Sequence, residues 1–158
     1  MILHFFFPIE PKAMQSLRVA RCGKFMRTYQ PKGNTDWKTF VRLSAQTQLP
    51  PGWLPSDEPC IISTIFCFTL PKSACKRDRL AIEEGHVILK STIPDFDNSS
   101  KGTWDSLSGL VWANDARICG VTDSYKVYAN RNGIALTVDY EIDHDRVCLD
   151  IERRLQNP

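Results

Sequence analysis

The chain has no apolar stretch long enough to cross a bilayer, no Cys-x-x-Cys pair, no paired-histidine spacing, no internal repeat and no low-complexity segment. Each absence removes a class of protein. A membrane-spanning helix needs about 20 consecutive apolar residues. The longest N-terminal apolar run, around Phe5, Phe6 and Phe7, is closed by Pro8 and lacks a basic leader and a small-residue cleavage site, so it reads as a first strand and not as a signal peptide. Six scattered cysteines (Cys22, Cys60, Cys67, Cys75, Cys119 and Cys148) do not offer zinc-site spacing. Without an export signal, reduced thiols in a cytoplasmic protein are expected.

What is there is 158 residues, 42% hydrophobic and 24% charged. That is the make-up of one globular domain, because two halves would each be too small to bury a persuasive core. The net charge of +2 is unevenly spread. Residues 1–45 hold eight basic side chains against Glu10 and Asp36, a net +6, and the rest of the chain is net acidic. A basic N-terminal third suits a phosphate backbone, although a solvated hairpin and helix face accounts for the same charges.

Taken in order, residues 1–8 read as a strand and Ile9 to Lys12 as an extended, proline-bounded loop. Segments 17–20 and 24–27 flank Cys22 and Gly23 as a hairpin, which places Arg18, Arg21, Lys24 and Arg27 on one ribbon. Asn34 or Thr35 is placed to cap a helix from about Asp36 to Leu49, with Trp37, Phe40, Val41, Ser44 and Ala45 as its core stripe. Residues 60–70 are nearly continuous β-favouring sequence, which predicts a central strand covered on both faces. A basic patch with Lys72, Lys76, Arg77 and Arg79 precedes a short helix, residues 86–89 are strand-like, and residues 97–110 form the next helix, closed by Gly109. Residues 118–129 and 134–141 read as two strands joined in a hairpin at Asn132-Gly133. Residues 143–158 form a charged tail or short helix. The expected fold class is α/β of the α+β type, a mixed sheet flanked by helices.

The chemistry concentrates between Ile93 and Arg117. Asp95 and Asp97 are two apart at a strand-to-helix junction and point the same way if the backbone is extended there. Close carboxylates repel, and a hard divalent cation such as magnesium or manganese relieves that cost. Asp115 arrives after the helix as a third acid. Such a set is suited to metal-assisted phosphodiester cleavage. Asp97, Lys101 and Asp105 share one helix face beside the stripe of Trp104, Leu107 and Val111, so Lys101 is placed to meet a phosphate or developing charge. Spacing alone leaves an i, i+4 ion-pair ladder equally open. An EF-hand fails in detail, with Ser100 where glycine belongs and Ser106 where glutamate belongs.

These residues carry a resemblance. Pro94-Asp95-Phe96-Asp97-Asn98, then Lys101, Asp105 and Gly109, then Asn114-Asp115-Ala116-Arg117-Ile118 resemble the signature of RusA-type Holliday junction resolvases, which runs Pro-Asp-x-Asp-Asn-Leu-x-Lys, Asp-Ala-Leu-x-Gly, Asp-Asp-x-Gln-Ile. Weaker likeness extends to Pro8-Ile9-Glu10-Pro11-Lys12, Gly23-Lys24, Pro31-Lys32 and Pro71-Lys72-Ser73. The resemblance implies a homodimeric endonuclease over residues 1–142, of a kind common in prophages. Such an enzyme nicks four-way DNA junctions symmetrically with Mg2+ or Mn2+ in recombination and repair. By matched position Asp95, Asp97 and Asp115 would be the catalytic metal ligands and Lys101 the catalytic lysine. Lys12, Arg18, Arg21, Lys24, Arg27, Lys32, Lys72 and Lys76 would contact DNA.

The sequence departs from that pattern at Asn114, where an aspartate is usual, at Ser99 for leucine, at Arg117 for glutamine, and at Ile93 where a lysine often stands. Asn114 removes one charge and keeps open a non-catalytic branched-DNA-binding module. A purely structural protein whose acids only cap a helix is the third reading. Outside this stretch, His86 reads as structural and Asp143-His144-Asp145 as an exposed turn. Trp53 is open between covering a core edge and stacking on an unpaired base.

Overall fold

Period-two burial organises the molecule. The computed structural model describes residues 1–14, 18–23, 25–29 and 31–156. In chain order the elements are β1 (Ile2–Phe7), β2 (Arg18–Cys22), β3 (Phe25–Tyr29), α1 (Lys32–Gln46), β4 (Cys60–Phe68), α2 (Lys76–Glu83), β5 (Ile88–Leu89), α3 (Phe96–Leu107), β6 (Ile118–Val121), β7 (Tyr125–Tyr128), β8 (Gly133–Asp139) and α4 (His144–Gln156). One mixed sheet runs β1-β8-β4-β7-β5, with β6 also pairing β4, and β2 and β3 form a separate antiparallel ribbon. This is the α+β single domain expected from the sequence.

The register explains the core. Leu3, Val138 and Ile62 stand side by side across β1, β8 and β4, as do Phe5, Leu136 and Thr64, and then Phe7, Ile134 and Phe66. All nine are buried. Onto these rows α1 lays Trp37, Val41 and Ala45, and α3 lays Leu107. Because side chains alternate across a strand, the neighbours of these residues point to the other face.

Several expectations are corrected. The central strand is covered on one face only: Cys60, Ile62, Thr64, Phe66 and Phe68 are buried, while Ile61, Ser63, Ile65 and Cys67 are half-exposed. The predicted hairpin between the last two strands does not form, because β4 lies between β7 and β8 and pairs with both. Asn132 serves that crossing differently, its Oδ1 accepting from the Thr69 N–H (2.8 Å) just past the end of β4. The predicted strand 118–129 is two strands, β6 and β7, broken where Asp123 takes φ of 38°. There the Ser124 hydroxyl accepts from the Thr64 N–H (2.9 Å) and fills the missing backbone partner. Helix α1 begins at Lys32, ahead of the predicted caps. Pro31 takes the N-cap position with φ −56° and no side-chain cap, the φ to which a proline ring is already fixed. Asn34 is turned inward and buried instead. Phe40, expected in the core stripe, is exposed, and His86 lies on the surface beyond α2, 4.0 Å from Glu84. Trp53 covers a core edge, donating to the Leu110 carbonyl (3.1 Å) and packing on Tyr140.

Phe66 is the side chain on which sheet and helix meet, its ring and that of Phe96 of α3 forming a T-shaped pair with centroids 5.6 Å apart. Phe66→Ala is expected to lower unfolding free energy by about 3–5 kcal/mol, measured by urea denaturation. Ile65→Ala on the half-open face should cost clearly less.

Candidate active site

Residues 90–97 bring the chain from the sheet onto α3. Lys90 N–H bonds the Lys126 carbonyl (2.8 Å), which extends the β5–β7 pairing. The chain then passes through Thr92, Ile93 and Pro94, the Ile93–Pro94 bond being cis. Asp95 takes the N-cap position with extended backbone (φ −67°, ψ 147°), and its side chain makes no cap bond. Phe96 turns into the core against Phe66, so the residues on either side of it, Asp95 and Asp97, are exposed. A cleft of about 490 Å³ opens here between Asp95 and Asn98 on one side and Pro11, Lys12 and Ala13 on the other. The extended 11–14 segment is tied to α3 by the Met14 N–H on the Asn98 carbonyl (3.1 Å).

The ion-pair ladder is not what the helix builds. Asp105 pairs with Lys38 of α1 at 3.2 Å. Asp95, Asp97 and Lys101 have no side-chain hydrogen-bond or ion-pair partner among the described residues. The buried face of α3 also differs from the apolar stripe expected. Apart from Leu107 it consists of Ser99, Ser100, Gly102, Thr103 and Ser106. Three of these satisfy their hydroxyls one turn back along the helix, Ser99 on the Asp95 carbonyl (2.9 Å), Thr103 on Ser99 (3.0 Å) and Ser106 on Gly102 (2.7 Å). Small residues there let the 11–14 segment approach closely; a Cβ on Gly102 would stand 3.5 Å from the Lys12 carbonyl.

Asp115 opens a short 3-10 turn, Asp115–Arg117, and its Oδ1 accepts from the Trp112 indole N–H (3.1 Å). Asn114 caps that turn, its Oδ1 accepting from the Ala116 N–H (3.0 Å). Its amide oxygen thus serves the backbone. Arg117 pairs with Asp57 at 3.2 Å.

Exposed carboxylates without a competing thiolate or imidazole suit a hard divalent ion, and Asp95 and Asp97 are uncommitted donors of that kind. The full three-acid set is not assembled. Among the described residues no group of three or more His, Cys, Asp or Glu side chains is placed to hold a metal ion.

The expected DNA contacts are spread over the Asp95 cleft, the β2–β3 ribbon and the starts of α1 and α2. Lys12 borders the Asp95 cleft, with its ammonium on the Gly33 carbonyl (3.1 Å). Arg18, Arg21 and Arg27 lie on the β2–β3 ribbon, where Arg21 and Arg27 are exposed; Lys24 lies outside the described residues. Lys32 and Lys76 are the exposed first residues of α1 and α2, and the exposed Lys72 offers its carbonyl to Arg79.

Two lysines went unnoticed in the sequence. Lys90 is 9% exposed and donates to Thr92 Oγ1 (2.5 Å) and the Ile93 carbonyl (2.5 Å), with its ammonium 5.1 Å from the ring centres of Phe68 and Tyr128. Lys126 donates to the carbonyls of Thr92 (2.7 Å) and Pro94 (2.5 Å). The Tyr128 phenol lies within 3.2 Å of Thr92 Oγ1. That hydrogen bond, helped by Lys90 and Lys126, draws it below the usual phenol range. Nothing in a run ending Val-Ile-Leu-Lys distinguishes a buried lysine from one that merely ends a strand in solvent.

An unpaired, exposed Lys101 predicts that Lys101→Met changes stability by less than about 0.5 kcal/mol. Asp105→Asn, which breaks a half-buried pair, should cost up to about 1 kcal/mol. Thermal unfolding checks both, and a larger loss at Lys101 than at Asp105 would restore the ladder.

No curated protein matches the chain. The family model described as Endodeoxyribonuclease RusA matches residues 8–139, a span that holds the sheet strands from β4 through β8, the Asp95 cleft and the Asp115 turn. The chain therefore belongs to the RusA endodeoxyribonuclease family.

Proposed function

We propose that this protein is a Holliday junction resolvase, a divalent-metal-dependent endonuclease that nicks four-way DNA junctions symmetrically during recombination and repair in the cytoplasm. Family membership implies an endonuclease acting on branched DNA. The observation that supports catalysis is the uncommitted group Asp95, Asp97 and Lys101 on the first exposed turns of α3, in a protein that pairs other charges nearby.

In this reading Asp95 and Asp97 would hold a Mg2+ or Mn2+ ion, with Asp115 as its third acid ligand. A bound ion of this type supplies Lewis acidity at the phosphate and an activated water. The chain's own contribution is positional. Asp95 and Asp97 are aimed outward by the packing of Phe96, between them, against Phe66. Lys101, one turn beyond Asp97, meets the scissile phosphate and steadies charge as it develops. Lys12 lies across the cleft where a backbone phosphate would rest. Arg18, Arg21 and Arg27 on the ribbon, with Lys24, Lys32, Lys72 and Lys76, bind the flanking arms, giving an affinity that falls steeply with salt.

One observation favours a second reading, a non-catalytic junction-binding module. The three acids are not assembled into a cluster, and Asn114 is engaged with the backbone. A synthetic four-way junction with Mg2+ or Mn2+ separates the two. We expect cutting by the wild-type protein, and we expect Asp97→Asn to abolish cutting while junction affinity stays within about threefold, less than one phosphate contact's share. Tight binding without cleavage in either metal would establish the binding module instead.

A homodimer belongs to the same proposal, because a two-fold junction presents equivalent strands to two-fold related sites. The uncovered face of the sheet offers the surface. It has an apolar concavity of about 570 Å³ lined by Ile65, Cys67, Val87, Leu89, Tyr125 and Val127, with Leu89 73% exposed. Monomers rarely leave apolar patches of this kind uncovered. Light scattering should give a dimer mass for the wild type and a monomer for Leu89→Glu, with paired nicking reduced to single nicks. A wild-type monomer at micromolar concentration would refute this arrangement.

A further inference from the structure

We infer that Lys90 and Lys126 are positioning residues of the nuclease site, holding the carbonyls of Thr92, Ile93 and Pro94 so that Asp95 and Asp97 leave the sheet in one fixed direction. The inference rests on the reading of those two aspartates as the catalytic acids.

The geometry is specific. Two ammonium groups, one from the end of β5 and one from β7, converge on three consecutive carbonyls immediately ahead of Asp95, through contacts of 2.5 to 2.7 Å. The strands that carry them are joined by the Lys90 N–H on the Lys126 carbonyl (2.8 Å). Carbonyls in a surface loop ordinarily bond to water at no cost. Here a lysine is buried instead, and burying an ammonium is expensive unless it is well bonded. Neither lysine has a carboxylate partner among the described residues. The charge of Lys90 is balanced by charge-assisted bonds to Thr92 and Ile93 and by the ring faces of Phe68 and Tyr128. This concentration of bonding lies at the one place where backbone direction decides where the two acids stand. Small misplacements of such groups cost a large factor in rate.

Ile93 stands where a lysine is frequent in the resembling pattern. At 82% exposure its side chain takes no part in holding this loop. The ammonium that reaches its carbonyl comes from three residues upstream.

The test uses Lys90→Met, Lys126→Met and Lys126→Arg in the full chain. Methionine keeps an unbranched stem and removes the ammonium. Three measurements are made: single-turnover cleavage against junction affinity, Mn2+ binding by electron paramagnetic resonance, and amide hydrogen exchange of residues 95–99. For both methionine variants we expect junction affinity within about threefold of wild type. The cleavage rate should fall about 10- to 100-fold and the Mn2+ dissociation constant should rise by about tenfold, the range typical of groups that orient metal ligands. Exchange at 95–99 should be faster. Lys126→Arg, which keeps charge and donors, should restore the rate to within about threefold.

Folded methionine variants with unchanged rate, Mn2+ affinity and exchange would overturn the inference. So would a loss of rate matched by an equal loss of junction affinity, which would make the lysines DNA contacts. If the wild type neither cuts nor binds Mn2+, the nuclease reading has failed on its own. The exchange measurement then still decides whether the two lysines fix the loop, and unchanged exchange at 95–99 rejects it.

Discussion

The contact on which the rest of this structure depends is the T-shaped packing of the Phe96 and Phe66 rings. Phe66 ends the buried row Phe7–Ile134–Phe66, which three strands build in register. Phe96 is the residue between the two uncommitted aspartates. An aromatic packed against the core is held there by the water it sheds, and in the first turn of a helix its neighbours then face outward. Core packing therefore sets where the acids point. The cleft beside Asp95 forms because the small, hydroxyl-bearing face of α3 lets the 11–14 segment lie close against the helix.

Charge is distributed with the same economy. Asp105 is engaged by Lys38, Arg117 by Asp57, Asn114 by the Ala116 N–H and Asp115 by the Trp112 indole. The first two fix how segments meet, α1 to α3 and the 3-10 turn to the loop before β4, and the last two hold residues 112–116 to one another. Against that background the carboxylates of Asp95 and Asp97 and the ammonium of Lys101, without partners among the described residues, are conspicuous. Exposed ions of opposite sign one helical turn apart gain little from pairing in water, which is why the ladder that spacing allows does not form. Separate, they remain available to a cation and a phosphate.

Much of this was legible in the sequence, and the parts that were not share a cause. The apolar run closed by Pro8 gave the first strand, and the alternation of Ile134, Leu136 and Val138 gave the last strand and its buried side. Gly109, at φ +68°, gave the end of α3, and the spacing of Asp95, Asp97, Lys101 and Asp115 gave the candidate site. What failed was everything decided by a distant partner. Asn132-Gly133 favours a hairpin locally, but β4 offers β8 seven paired positions, and no local turn outweighs that. The β6–β7 break depends on Ser124 reaching Thr64, and Asn34 on burial beside the 12–14 segment. The buried role of Lys90 depends on Phe68 and Tyr128 standing beneath it. The run 60–68 looked covered on both faces because both of its alternating sets are apolar. Apolarity shows that a face is to be covered and not what covers it.

That last point bears on assembly. Helices α1 and α3 lie on the face that carries Phe66, and the apolar concavity lies on the face that carries Ile65 and Cys67. The Asp95 cleft and the uncovered surface therefore belong to opposite sides of one sheet. A second copy docked on the open face would leave both clefts directed away from the contact, related by the two-fold axis and free to take DNA. The same one-sided layering that gives α3 its buried seat against β4 thus leaves the other side available to a partner, without obstructing the residues proposed to cut.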